Sequence, residues 1–479
     1  MKRNLVKLVT VVLMICLCVS TFAGCGKKEE TVSSSDTIKI FTNIKNRPDC
    51  ALVSQEISKI TREELGFDVE FMFGYNADKI ALMLASNEQM DIGFDNSATF
   101  VDRVRQNVYV DITDMLEEKA PKLYEAVPKE LWEGSKVDGR NYAVPTYKEF
   151  AEQWSVLVDQ KIIDEHNIDI SNMKELKDIE PILAALKEHP ERAGFEIRTA
   201  SNLHLNLALK NKYDVVYDNY VVKRDDPEKV VHFMETQEYK DFVYLMRDWF
   251  NKGYIASDIA TRTEYDAYDF SGNIGVTYTS YHPYLEKQLS QTYGVELTPI
   301  HVTPITTSNT SMMGSLFGIY SKSKNVDKAL AFLELWNTDP RIKNLVTYGI
   351  EGKHYEKISD NKIKRVDGAL DMYKMDNATS GNVMISYLLD TEPDDKYEAF
   401  NTFNNNAIAA KTLGFSPDVS EIKSKIAACS NAVDEFNSLL SVGAIDPEEY
   451  LDKMLTNIKN AGNEDVKAVL QKQYDEWRK

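Results

Sequence analysis

The sequence predicts a two-lobed α/β fold with a helical C-terminal region, and three features carry that expectation. At 479 residues the chain exceeds what one ordinary hydrophobic core serves, so two lobes are expected. Extended apolar runs alternate with helical patterns over residues 37–97, the signature of a parallel sheet with helical crossovers. The stretch Asp138-Gly139-Arg140-Asn141-Tyr142-Ala143-Val144-Pro145 combines a turn former, a short strand and a proline that biases Val144 away from helix. Taken alone those are the parts of a crossing between two lobes and equally of a surface hairpin; with a complete α/β run before them and a second candidate crossing near 294–304, the octet is expected to be the first interlobe strand.

In chain order, Lys2, Arg3 and Lys7 precede a mostly apolar run over 8–19. The run is too short to span a bilayer, which takes about 20 residues, and suits a signal-peptide core. It ends in Thr21-Phe22-Ala23-Gly24-Cys25, which resembles a bacterial lipobox with Cys25 as the lipid-bearing residue. Residues 1–24 read as a lipoprotein signal peptide and 25–36, polar and serine-rich, as a tether. The formal charge is -19; losing 1–24 takes 56 basic residues to 53 against 75 acidic, or -22. Such acidity argues against a nucleic-acid partner. Cys50 and Cys429 would remain after processing, far apart in sequence and read as unpaired.

Residues 37–41, 67–73 and 90–94 are expected strands, and 51–65 and 78–86 expected helices, the first closed by Gly66. In open sheets of this kind ligands bind at the carboxyl ends of strands, where Asp95, Asn96 and Ser97 fall. Turn formation and helix capping explain the same three residues. Trp132 reads as a packing residue. Beyond the octet come an apolar run over 151–159, helices over 172–186 (interrupted at Pro181), 203–209 and 238–251, and a strand over 272–278. An extended segment over 294–302, ended by Pro304, is a second candidate crossing. A strand over 315–320 and a helix over 325–336 follow; Thr338-Asp339-Pro340 breaks that helix and starts another. Helices over 421–440, after Asp446-Pro447 and over 465–477 complete the chain.

No phosphate-binding loop, dinucleotide fingerprint, zinc-protease motif or nucleophile elbow occurs. The seven histidines form no i, i+4 pair, and neither a metal nor a cofactor is expected. Abundant carboxylates are no evidence for a glycosidase pair. Aromatics in predicted connections, Tyr147, Tyr278, Tyr281 and Tyr348 among them, are more informative. A sugar ring offers C–H faces for stacking and hydroxyls for hydrogen bonds, so its site wants flat aromatics beside charged and amide groups. Tyr147-Lys148-Glu149, Trp154 and Tyr278 with Ser280-Tyr281 supply that mix; a solvated Lys148–Glu149 pair and ordinary surface tyrosines supply it too.

The lipobox, the strand and turn over 91–97, the octet with its Lys148-Glu149 extension and the 272–278 strand resemble extracellular solute-binding lipoproteins of bacterial ABC importers. Tyr348-Gly349-Ile350-Glu351-Gly352-Lys353-His354-Tyr355, Gly414-Phe415-Ser416-Pro417 and the tail Gln471-Lys472-Gln473-Tyr474-Asp475-Glu476-Trp477 are similar to the LplA-like branch, which carries a C-terminal DUF3502 domain. The resemblance implies a type II periplasmic-binding-protein (venus-flytrap) fold. Lobe 1 would take 37–142 and 300–338, and lobe 2 146–296 and 339–479, with the DUF3502-like part over about 350–479. It implies a monomer without catalysis, lipid-anchored at Cys25 outside the cell membrane, that passes an oligosaccharide, aldouronate-like in this branch, to a permease. Ligand would lie between Asp95–Ser97 and Lys148, Glu149 and Trp154. A peptide is the second reading and a surface glycan hydrolase the third. With five tryptophans, three of them in expected helices, a long aromatic platform is not implied.

Overall fold

In the computed structural model, residues 37–86, 88, 90–195, 209–261 and 273–479 are described; the signal peptide, Cys25, the tether, most of the 203–209 helix and Gly272 lie outside them. Residues 38–479 form one unit. Within it the apolar pattern builds two large cores, each around its own sheet.

The first lobe starts with β1 (Thr37–Phe41), α1 (Cys50–Leu65), β2 (Asp68–Met72), α2 (Ala77–Ser86) and β3 (Ile92–Asp95), close to the expected alternation. Gly66 ends α1 in the left-handed region at φ +78°, its N–H reaching the carbonyls of Thr61 and Arg62. β1 and β3 pair in parallel, Ile40 beside Ile92, and both side chains are buried. A short helix, α3 (Phe100–Arg105), follows β3, and Trp132 is buried in the core from α4 (Lys129–Gly134). β4 (Ala143–Pro145) is the edge strand of this sheet. Asp138 and Gly139, at φ +50° and +77°, form a two-residue turn closed by reciprocal hydrogen bonds between Val137 and Arg140. The octet is therefore a hairpin turn plus a first-lobe strand.

The chain crosses over 146–152 to the second sheet, which contains β5 (Gln153–Asp159), β6 (Ala193–Phe195), β7 (Ile274–Tyr281) and β8 (Leu297–His301). β5 lies between β8 and β7, antiparallel to both, and β6 runs parallel to β7. Pro181 starts a helix (Glu180–Leu186) rather than interrupting one, its fixed φ suiting the first turn. The chain returns over 302–305 to β9 (Thr306–Thr307) and β10 (Leu316–Ile319), which inserts between β3 and β4. The two crossings touch: Glu152 and Thr306 exchange backbone hydrogen bonds at 2.8 and 2.9 Å.

Residues 339–479 divide between the lobes. Asp339 caps a helix (Pro340–Tyr348) directly behind the preceding one (Val326–Thr338), and a break that short keeps the chain on the first lobe. Ile342, Val346, Tyr373 and Met375 share the core of Ile38 and Ile92. After a helix over Lys396–Asn405, Ile408–Ala409 pairs in parallel with β9 as a third run beside the crossings. Val433 and Leu440 on one later helix, with Leu451, Met454 and Ile458 on the next, then join the second core beside Val156 and Val276. Cys50 and Cys429 are buried free thiols.

Candidate functional site

Ligand crevices of two-lobed folds lie between the lobes, and the first candidate wall grows from one end of the first sheet. Leu316 pairs with Asp95 on one side and with Pro145 on the other. The loop after β3 and the crossing after β4 thus leave the sheet at the same end, about 10 Å apart at two strand spacings. Asp95 itself is turned inward and 2 % exposed. It accepts from Tyr109 Oη at 2.7 Å, from Thr99 Oγ1 at 2.5 Å and from the Asn96 N–H at 2.9 Å, and pairs with Arg103 at 3.2 Å. Burial, then the neighbouring Tyr320 and Asp95, push the Tyr109 phenol well up, so it stays a donor. Asn96 Oδ1 takes the Ala98 N–H at 3.0 Å. Ser97, half-buried, is the loop's hydroxyl with no hydrogen bond to a described residue.

The crossing adds Tyr147, Lys148 and Glu149, all half-buried. Tyr147 Oη donates to Asn401 Oδ1 at 2.6 Å, and burial raises its pKa. The Lys148 ammonium and Glu149 carboxylate form no ion pair among the described residues. Asn404 holds their backbone: its Oδ1 accepts from Phe150 and Ala151 at 2.9 and 3.1 Å, and its Nδ2 donates to the Lys148 carbonyl at 2.9 Å.

The second wall is the crossing-side end of β5 and β7. Register places Trp154 opposite Ser280 and Val156 opposite Tyr278, so Trp154, Tyr278 and Ser280 share one face. The Trp154 and Tyr278 rings meet at 5.9 Å and 35°. Tyr278 continues to Phe195 at 6.3 Å and Phe195 to Trp249 at 5.8 Å, a row running into the core. Lys210 Nζ lies 5.9 Å over the Trp154 ring and is ion-paired with Glu152. Trp154 Nε1 is buried with no acceptor among the described residues. Tyr281, one residue further, is on the opposite face, 4.7 Å from the His301 ring and donating to Glu286 at 2.9 Å. Burial first, then Glu286, raises its pKa.

The structure therefore brings Asp95–Ser97 and Tyr147–Glu149 to one sheet end and Trp154, Tyr278 and Ser280 to one strand face, and sets Tyr281 apart. Asn401, Asn404, Glu152 and Lys210 were not singled out in the sequence. Asn401 and Asn404 stand three apart on one helix, a visible amide face, whereas nothing local links Lys210 to Trp154. Among the described residues no three His, Cys, Asp or Glu side chains are grouped to hold a metal, and no helix is long and apolar enough to cross a membrane.

The family profile "Domain of unknown function (DUF3502)" matches residues 411–479, beginning where the third run ends. A carbohydrate ABC transporter substrate-binding protein of Streptococcus pneumoniae serotype 4 is 26% identical over 467 residues, 95% of this chain and 94% of that one. The crystal structure of an N-glycan transport solute binding protein (NgtS) from S. pneumoniae superposes with a TM-score of 0.83 at 26% identity, covering 92% of this chain and 98% of that one. The structure of the same protein in complex with Man5GlcNAc covers the same shares at a TM-score of 0.71. An HMO binding ABC-transporter associated solute binding protein of Bifidobacterium longum infantis, at 15% identity and a TM-score of 0.68, shares the fold over 92% of this chain and 99% of its own. The chain thus has the two-lobed α/β fold of periplasmic binding proteins and is similar along nearly its whole length to solute-binding proteins of ABC transporters.

Proposed function

We propose that this chain is the extracytoplasmic capture component of an ABC importer, held at the membrane by lipid on Cys25, and that it takes a neutral oligosaccharide of the N-glycan type to a permease. The observation that carries the ligand class is the Trp154–Tyr278 pair at the crossing-side end of the second sheet, 5.9 Å apart and backed by Phe195. Stacked rings suit the C–H face of a hexose, and Ser97, Ser280, Lys148 and Glu149 suit its hydroxyls. Glu152 neutralises the Lys210 ammonium that lies over the Trp154 ring. Whole-length similarity to the N-glycan transport protein supports the same reading over an aldouronate, the acidic sugar of the LplA-like branch. Capture needs no chemical step. Sugar that touches both walls favours a closed arrangement through its differential affinity, and the three runs over 146–152, 302–307 and 406–411 absorb the rotation. At equal identity and coverage, this chain superposes less well on the Man5GlcNAc complex than on the structure of that protein named without a ligand, 0.71 against 0.83; such a gap comes from conformation.

Calorimetric titration with Man5GlcNAc, an aldouronate and a mixed peptide set tests the ligand. Saturable binding of the neutral glycan alone is expected; binding of peptides without sugar would overturn the reading, and preference for the aldouronate would correct its class. Labelling cells with radioactive palmitate tests the anchor: Cys25→Ser is expected to abolish incorporation, and label retained in that variant removes Cys25 as the anchor.

A further inference from the structure

Two histidines far apart in sequence meet on the second lobe. A short helix (Gln160–Glu165) leaves the end of β5 opposite the first crossing, and His166 follows it. His189 follows the helix over Glu180–Leu186 that packs beside it. Their Nε2 atoms stand 3.1 Å apart with the rings nearly perpendicular, 79° between planes. Two imidazole nitrogens on one tetrahedral zinc ion, each bonded at about 2.05 Å, are about 3.3 Å apart, so the spacing of the pair, here that of an N–H···N hydrogen bond, is close to the bite of a cation.

The surroundings resemble those of a metal-binding imidazole. Glu191 Oε1 lies 3.4 Å from His189 Nδ1. A carboxylate there favours the N–H on Nδ1 and leaves the Nε2 lone pair facing His166, as outer-shell carboxylates do for metal-bound histidines. Glu165 Oε2 lies 3.6 Å from His189 Nε2 and is within a side-chain turn of being a third donor. The His189 side chain is 17% exposed and Glu165 43%, which leaves an entry path. No third ligand is yet in position, so the pair is a partly formed site.

We propose that His166 and His189, completed by Glu165 and water, bind a divalent transition-metal ion of the zinc class on the second lobe, apart from the crevice. Imidazole and carboxylate donors suit zinc, nickel and copper, and calcium and magnesium poorly. The cation ties the end of one helix to the end of the next, so occupancy stabilises the second lobe. Capture of a sugar at the opposite end of β5 neither requires nor supplies this ion.

The test is calorimetric titration of the full chain with zinc chloride, with calcium chloride as control, alongside thermal melts. One zinc per chain and a raised melting temperature are expected, with no response to calcium. His189→Ala and His166→Ala each lose saturable binding. Glu191→Gln, an exposed change that leaves both ligands in place, weakens binding about tenfold. Absence of saturable zinc binding in the native chain overturns the proposal, and so does binding that survives both histidine substitutions. Should an alanine variant fail to fold, unchanged zinc affinity in Glu191→Gln counts against the carboxylate-oriented site.

Discussion

At the end of β3 the polar groups around Asp95 are turned onto one another; on β5 and β7 an aromatic pair stands with an indole N–H that has no acceptor among the described residues. Asp95 takes three hydrogen bonds and an arginine, and the loop it anchors presents little beyond Asn96 and Ser97. Trp154 and Tyr278 pack ring against ring, with Lys210 over the indole and no acceptor for Trp154 Nε1 among the described residues. A self-satisfied polar loop keeps its shape whether or not a ligand is present. An aromatic wall offers apolar area whose value is realised only on contact. The first wall is thus built for position and the second for attraction, and each of three changes strains that division at a different point.

The largest effect is expected at Asp95. Asp95→Ala leaves the Arg103 guanidinium without its buried partner and strips Tyr109 Oη of its acceptor. Breaking a buried pair from one side costs about 4 kcal/mol. Urea unfolding should show that loss, with sugar binding falling only as far as the folded fraction does. If stability held and affinity collapsed instead, Asp95 would be a ligand group and the first wall would be one of attraction after all.

Next comes acid, which should act on the second lobe. His232 is 1 % exposed, and burial, reinforced by the positive charge of Lys467, pushes its imidazole from 6.5 down to about 4. The unfolded chain takes up a proton below pH 6.5 that the folded chain refuses until about pH 4. Stability present above the first value is therefore lost as pH falls toward the second, by about 3 kcal/mol. Urea midpoints measured between pH 7 and pH 4 check this, and His232→Gln should flatten the slope by that amount. An unchanged slope would move the acid sensitivity elsewhere in the chain.

How much of this was legible depends on whether the cause was local. The alternation over 37–97, the glycine stop at Gly66 and the Asp339-Pro340 and Asp446-Pro447 starts follow from neighbouring residues, and the structure has them nearly where the pattern puts them. The crossing was displaced: Asp138-Gly139 has the strongest turn chemistry, yet that turn closes a hairpin, and the passage between lobes uses the less marked 146–152. The assignment of 339–375 to a lobe was not readable, because an amphipathic helix shows that it packs and not on which core. Tyr281 shows the same limit at one residue. A strand ending at 278 leaves Tyr281 in a loop beside Tyr278; a strand ending at 281 puts it on the other face. Lys210 over Trp154 depends on a contact across 56 positions that no spacing rule encodes.

The smallest of the three effects bears most directly on the second wall. Trp154→Ala removes half of the aromatic pair and should weaken oligosaccharide binding at least about tenfold, as removal of a stacked anchor does, with the fold retained. Trp154→Phe divides that loss into its parts. Phenylalanine keeps a ring against Tyr278 and deletes the Nε1–H that has no acceptor among the described residues. If stacking is what the wall supplies, the variant binds nearly as well as the native chain and is more stable by up to about 1 kcal/mol, the cost of an unanswered buried donor. If it binds as poorly as the alanine variant, Nε1 is a hydrogen-bond donor that waits for ligand, and the second wall, like the first, recognises by polar groups. Tyr281→Ala provides the reference: on the opposite face of the strand and already donating to Glu286, its loss should leave affinity within about twofold.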